Sequence, residues 1–213
     1  VLLHGLGRNK SAMRLLASRL EDAGYYVHRI GYDSFRKTPE QIIASVESGI
    51  TACCAKVEKT IHFVGHSLGG LIIRAYLNRH RPGNLGRVVL IGTPNQGTDF
   101  VDKYRDRWWM QFAGDAALSL GTDADSFPNS LPKPYYPLGV IAGLKDSSDK
   151  NDRVAGADDG LVPLRSTPLE GMDDFIVVTT GHSAMRYDKS VAEQTINYLR
   201  DGRFRHQTPA EKQ

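Results

Sequence analysis

The sequence predicts an α/β fold with a mostly parallel central sheet covered by helices on both faces. Three observations carry that expectation. Short apolar runs alternate with amphipathic helical segments from the first residue onward, one junction is a glycine-rich strand-to-helix turn around Ser67, and the composition is that of a globular chain. The 213 residues, 40% hydrophobic and 24% charged, suffice for one domain with a real core. They exclude a disulfide-stapled miniprotein, a collagen-like repeat and a wholly disordered chain. Lys plus Arg is 27 and Asp plus Glu 24, a formal charge of +3 without a basic block, so no nucleic-acid partner is expected. The strongest apolar run, Val88–Ile91, is strand-sized and far short of the roughly 18 residues of a membrane span, which predicts a soluble chain.

The elements follow in order. Val1-Leu2-Leu3 reads as a strand end. A helix capped by Ser11 follows, with Ala12, Leu15, Leu16, Leu20 and Ala23 on one face and Gly24 stopping it. Tyr25–Ile30 is the next strand. Thr38-Pro39-Glu40-Gln41 is a capping box with Pro at the first helical position, opening a helix through Ile42, Ile43, Val46 and Ile50. Thr60–Val64 is a strand, and Leu68–His80 a helix apolar on most sides, as a central helix would be. Arg87–Ile91 is a strand. The regularity lapses between Gly97 and Pro137 and resumes with strands at Leu138–Ala142 and Phe175–Val178. A last helix, Asp188–Leu199, ends at Gly202. We therefore expect one domain over 1–202 with a lid-like insertion around 98–137, and a frayed polar tail over 203–213.

The chain opens without Met and inside an apolar run, so the first strands of the domain are expected to precede Val1. A signal peptide would precede it too, which leaves cytoplasmic and secreted locations both open. Cys53 and Cys54 are neighbours, a spacing that suits neither a relaxed disulfide nor a zinc site. They are expected as two small buried helix residues.

The informative stretch is Ile61-His62-Phe63-Val64-Gly65-His66-Ser67-Leu68-Gly69-Gly70, a strand, a G-x-S-x-G turn and a helix. A serine on so tight a turn takes a strained conformation that lifts its hydroxyl clear of the sheet, and only glycine fits two positions to either side. Ser67 also lies at a helix N-terminus, where the dipole favours developing negative charge. Gly65-His66-Ser67-Leu68-Gly69-Gly70 resembles the nucleophile elbow of the α/β-hydrolase superfamily, in the form seen in small bacterial lipases and esterases. His4-Gly5-Leu6-Gly7, straight after a strand, is similar to the lipase oxyanion loop. Gly92-Thr93-Pro94-Asn95-Gln96-Gly97-Thr98 resembles a further lipase segment after the strand that follows the elbow.

The resemblance implies a base on the loop after the last strand, which is the place of His182. The acid is expected in Asp158-Asp159-Gly160-Leu161-Val162-Pro163, a stretch similar to the lipase acid loop. There Asp directly precedes Gly, favouring Asp159 over Asp158; Asp99 is the remaining alternative. The backbone N–H groups of Leu6 and Leu68 would form an oxyanion hole. His4, His66, Trp108 and Trp109 are expected at the substrate site, the tryptophans from the insertion that also carries Met110 and Phe112.

Asp146, Asp149, Asp152, Asp158 and Asp159 do not follow a calcium-loop spacing, and Ala184 stands where some bacterial lipases place a calcium ligand, so no metal or other cofactor is expected. The implied activity is serine carboxylester hydrolysis, by an esterase or lipase. Thioesterase, amidase and acyltransferase chemistry would use the same residues, and a non-catalytic binding member of the fold is the contrasting class. The expected partner is a small-molecule or lipid ester, with transient contact to a lipid surface, and the expected state is a monomer.

Overall fold

Two strands at the middle of the chain set the frame: β3 (Ile61–His66) and β4 (Leu85–Ile91) pair in parallel along most of their length. The computed structural model describes residues 1–145 and 156–206. Around this pair lie β1 (Leu2–Leu3), β2 (Arg29–Ile30), β5 (Leu138–Gly143) and β6 (Asp174–Val178), giving one sheet of order β2-β1-β3-β4-β5-β6 with all five pairings parallel. Parallel neighbours need crossover connections. These include α1 (Arg14–Asp22), α2 (Pro39–Cys54), α3 (Leu68–Arg79) and, between β4 and β5, the short helices α4 (Asp99–Tyr104), α5 (Asp115–Leu118) and α6 (Phe127–Ser130); α7 (Lys189–Asp201) follows β6. No helix among the described residues is long and apolar enough to cross a membrane.

The sheet residues sort by the two-residue period of a strand. Leu3, Phe63, Val88, Leu90 and Val140 enter one core cluster with Ile42, Ile43 and Val46 of α2 and Leu71 and Ile72 of α3. Their neighbours Leu2, Val64, Val89, Ile91 and Ile141 enter a second cluster with Leu16 and Leu20 of α1 and Val191 and Tyr198 of α7. Both faces are thus covered, and each such buried aliphatic contributes roughly 1.5–3 kcal/mol. The Thr38 capping box is present, with Gln41 N–H donating to Thr38 Oγ1 and Thr38 N–H to Gln41 Oε1. Gly202 closes α7 in the left-handed conformation, φ 75°.

Four expectations are corrected. The strand anticipated over Tyr25–Ile30 is reduced to Arg29–Ile30, because its partner β1 offers only Leu2 and Leu3 for pairing. Asn9, not Ser11, caps the entry to the first helical segment: its Oδ1 accepts the Ser11 N–H at 2.9 Å ahead of a 3-10 turn, Lys10–Met13. Leu15 is 41% exposed, since the buried stripe runs through Met13, Leu16, Ala17 and Leu20, one helical step away. Cys53 and Cys54 are half-buried at the last turn of α2 and joined by a disulfide, not unpaired in the core. The stretch expected as a polar tail makes contacts at its start. Phe204 is buried against Tyr198 and its N–H donates to the Asp174 carboxylate at 2.6 Å. Residues 207–213 lie outside the described residues.

Candidate active site

The chain leaves β1 towards β2 on one side and returns to β3 on the other, so the loops after the adjacent strands β1 and β3 diverge and leave a crevice at their carboxyl ends. Ser67 lies there, between β3 and α3, with φ 56° and ψ −125°, the one non-glycine residue of positive φ among the described residues. Such a conformation costs of order 1–3 kcal/mol and persists only where the surroundings over-determine it. Here Ser67 N–H donates to Ile91 O (2.9 Å), and Ser67 O accepts from Gly70 N–H (2.9 Å) and Thr93 Oγ1–H (3.2 Å). A Cβ on Gly65 would stand 2.6 Å from Gly70 Cα, and one on Gly69 would stand 2.6 Å from the carbonyl oxygens of Leu3 and His4. The glycines are what allow the turn to close.

His182 follows β6. Its Nε2 lies 3.0 Å from Ser67 Oγ, and its Nδ1 2.7 Å from Asp159 Oδ2. Asp159 is held on its other oxygen, which accepts the N–H groups of Leu161 (3.0 Å) and Val162 (2.8 Å), and its carbonyl accepts the His182 N–H at 2.7 Å. With the Asp159 carboxylate accepting Nδ1–H, Nε2 is the free base facing the serine hydroxyl. All three residues are buried. Asp158 turns its carboxylate to the Gly160 N–H instead, and Asp99 pairs with Arg165.

His66 is buried beside this chain. Its Nε2–H donates to His182 O (2.9 Å), and its Nδ1 has no hydrogen-bond partner. Burial, followed by the nearby His182, holds its pKa well below the ordinary histidine range, so it stays neutral. His66, Ser67 and His182 open into a pocket of about 230 Å³ whose other lining includes Leu6, Phe100, Trp109, Met110, Leu120, Leu161 and Val162. A larger groove of about 850 Å³ lies at the opposite end of the strands, lined by Val1, Tyr25, His28, Cys53 and His62, and holds no member of this constellation.

The structure therefore brings together Ser67, Asp159, His182, Leu6, His66 and Trp109. Leu68 is buried, and its N–H is in the first turn of α3, where a helix supplies no acceptor of its own. Two expected substrate contacts fall elsewhere. His4 is fully buried, stacked on Tyr32 at 4.1 Å with its Nε2 accepting the Tyr32 N–H, so it shapes the loop from beneath. Trp108 is 75% exposed and meets Phe112 edge-on, because only its neighbour Trp109 turns inward onto Phe100 and Tyr104. Sequence reasoning missed Arg8 and Arg186 near the site, since nothing separates them in sequence from solvated arginines. Asp146, Asp149 and Asp152 lie outside the described residues; among those described, no three His, Cys, Asp or Glu side chains are grouped to hold a metal.

Comparison with known proteins bears on the same elements. The chain is 27% identical over 178 residues to a triacylglycerol lipase of Pseudarthrobacter phenanthrenivorans, a match covering 78% of this chain and 49% of that protein. It thus spans about half the length of that relative. Its fold resembles the mature lipase BlEst2 of Bacillus licheniformis (TM-score 0.63, 19% identity, 92% of this chain and 87% of that one). It also resembles the esterase EaEST of Exiguobacterium antarcticum (TM-score 0.66, 16% identity, 94% and 91%). These likenesses establish the α/β-hydrolase fold. The palmitoyl protein thioesterase family matches residues 1–129, a stretch that includes both the turn at His4–Gly7 and the Ser67 elbow, and the chain is a member of that family.

Proposed function

We propose that the protein is a serine hydrolase of carboxylic esters or thioesters, working through an acyl-enzyme on Ser67. The observation that carries this reading is the buried hydrogen-bond chain Ser67–His182–Asp159 at the mouth of an apolar pocket. Ser67 Oγ attacks the substrate carbonyl carbon while His182 Nε2 takes the hydroxyl proton. The carbonyl oxygen becomes an oxyanion, received by the N–H groups of Leu6 and Leu68 and by the positive end of α3. His182 then returns its proton to the departing alcohol oxygen or thiol sulfur as the C–O or C–S bond breaks. In the second half, His182 deprotonates a water that attacks the acyl-enzyme, and Ser67 leaves with the proton. Asp159 keeps the imidazole in the needed tautomer throughout.

Family membership supports thioesters as substrates alongside the esters implied by the lipase relative. The pocket is small beside the roughly 300–1,000 Å³ usual for ligand sites, which favours short to medium acyl chains. The test is hydrolysis of p-nitrophenyl esters from acetyl to palmitoyl, with matched thioesters. Ser67→Ala is expected to lower the rate about a thousandfold or more. Equal inertness of wild type and variant on both series would overturn the reading.

A further inference from the structure

A second depression, of about 610 Å³, adjoins the acyl pocket on the far side of the His4–Gly7 loop, and Arg8 lines both. Its wall is polar, with Asn9, Ser11 and Arg186 beside Arg8, and it contains no acidic side chain. Arg186 is the unusual member. It is only 4% exposed, its Nε–H donates to Ser183 O (3.1 Å), and its guanidinium lies 4.8 Å from the Tyr187 ring centre. Its terminal nitrogens make no hydrogen bond, and no carboxylate pairs with it, among the described residues. A buried guanidinium without a counter-charge is costly, and a second cation close by adds to the cost. Burial lowers the Arg186 pKa, Tyr187 opposes that shift, and the Arg8 charge adds to it. Arg8 and Arg186 line the same depression, and a phosphate held there would accept from both guanidinium groups and offset their repulsion.

We propose that this depression is a subsite for a phosphate group carried on the leaving-group side of the substrate. The place on the substrate rests on the hydrolase reading above; the binding of the anion does not.

The first test is calorimetric titration of the wild-type protein with inorganic pyrophosphate at constant ionic strength. Saturable one-to-one binding is expected, weakened at least tenfold in Arg8→Gln and Arg186→Gln and less in Arg186→Lys. Arg8 is exposed, so Arg8→Gln keeps the experiment decisive if removal of buried Arg186 prevents folding. Absence of saturable binding, or binding equal in wild type and Arg8→Gln, overturns the subsite.

The second test compares matched substrates with and without phosphate: octanoyl-coenzyme A against octanoyl-N-acetylcysteamine, and octanoyl lysophosphatidic acid against monooctanoylglycerol. A preference for the phosphorylated member in at least one pair, expressed in KM and lost in Arg8→Gln, is expected, and the pair showing it identifies the source of the phosphate. Pyrophosphate binding without preference in either pair overturns its place on the substrate. Turnover of none of the four counts against the hydrolase reading, and the titration still decides the anion site.

Discussion

Ser67 and Trp109 face the same pocket from opposite sides and are held by different means. On the Ser67 side, backbone meets backbone. Gly65 lies against the Gly70 backbone and Gly69 against the Leu3 and His4 carbonyls, Gly70 leaves room for the Thr93 side chain, and each oxygen of the Asp159 carboxylate has a partner. The Trp109 side is built from α4, α5 and a 3-10 turn over Met110–Ala113, packed through side chains: Phe100, Tyr104 and Trp109 lean on one another at ring separations of 5.0–6.4 Å. It is anchored at a few points, by Thr98 Oγ1–H to Leu161 O (2.7 Å) and Arg74 to the carbonyls of Asn95 (3.2 Å) and Leu131 (3.1 Å). One side fixes atoms for chemistry. The other shapes a cavity.

That contrast can be broken or sharpened, the largest effect first. Asp159→Asn should leave the fold intact and lower kcat by about 10,000-fold, because the amide presents the wrong partner to Nδ1; a loss below tenfold would remove Asp159 from the mechanism. Gly65→Ala should lower stability by about 2–4 kcal/mol, read in urea, since its methyl meets α3 backbone at a separation no rotamer can relieve. An unchanged urea midpoint would mean the elbow is looser than described.

Two buried histidines on the same side contribute to the pH dependence of stability. Burial is the leading reason that both His66 and His4 have lowered pKa values. The unfolded chain protonates both near pH 6.5 and the native state does not, so below that pH the unfolded state binds more protons. The stability they contribute is fully present above about pH 6.5 and is lost as the pH falls, by at most about 1.4 kcal/mol per pH unit for each histidine. The urea midpoint should therefore drop between pH 7 and 5, and His66→Asn should flatten the slope; a midpoint rising on acidification would contradict the assignment. Smallest is the effect on the Trp109 side. Trp109→Ala should shift the acyl-chain optimum and change kcat/KM several-fold through KM, whereas Trp108→Ala should change it less than twofold on soluble esters. The reverse ranking would mean that the aromatic wall rearranges on binding substrate.

The same division governs what could be read from the sequence. The elbow was legible because a backbone constraint leaves a residue-type signature: glycine at 65 and 69 has no substitute. The Thr38 cap and the Gly202 stop were legible for the same local reason. Asp159 over Asp158 followed from the resemblance of the acid loop, and the geometry gives its reason, since only Asp159 lies under His182. What escaped was set by tertiary placement. Trp108 and Trp109 are indistinguishable until the turn between α4 and α5 chooses which one points inward. β2 shortens because of its neighbour, not its own residues. Arg186 looks like any surface arginine until its burial is seen.

Ser67 and His182, its proposed base, lie 115 residues apart, and His182 comes after β6, at the sheet edge farthest from β2. Parallel pairing across such separations is slow to form, because the intervening chain must be ordered before the contact is rewarded. A growing or refolding chain that has completed only the β3–α3 turn therefore carries an inert hydroxyl. Reactivity towards an organophosphonate label would switch on when β6 docks, making covalent modification of this one serine a clock for the final step of assembly.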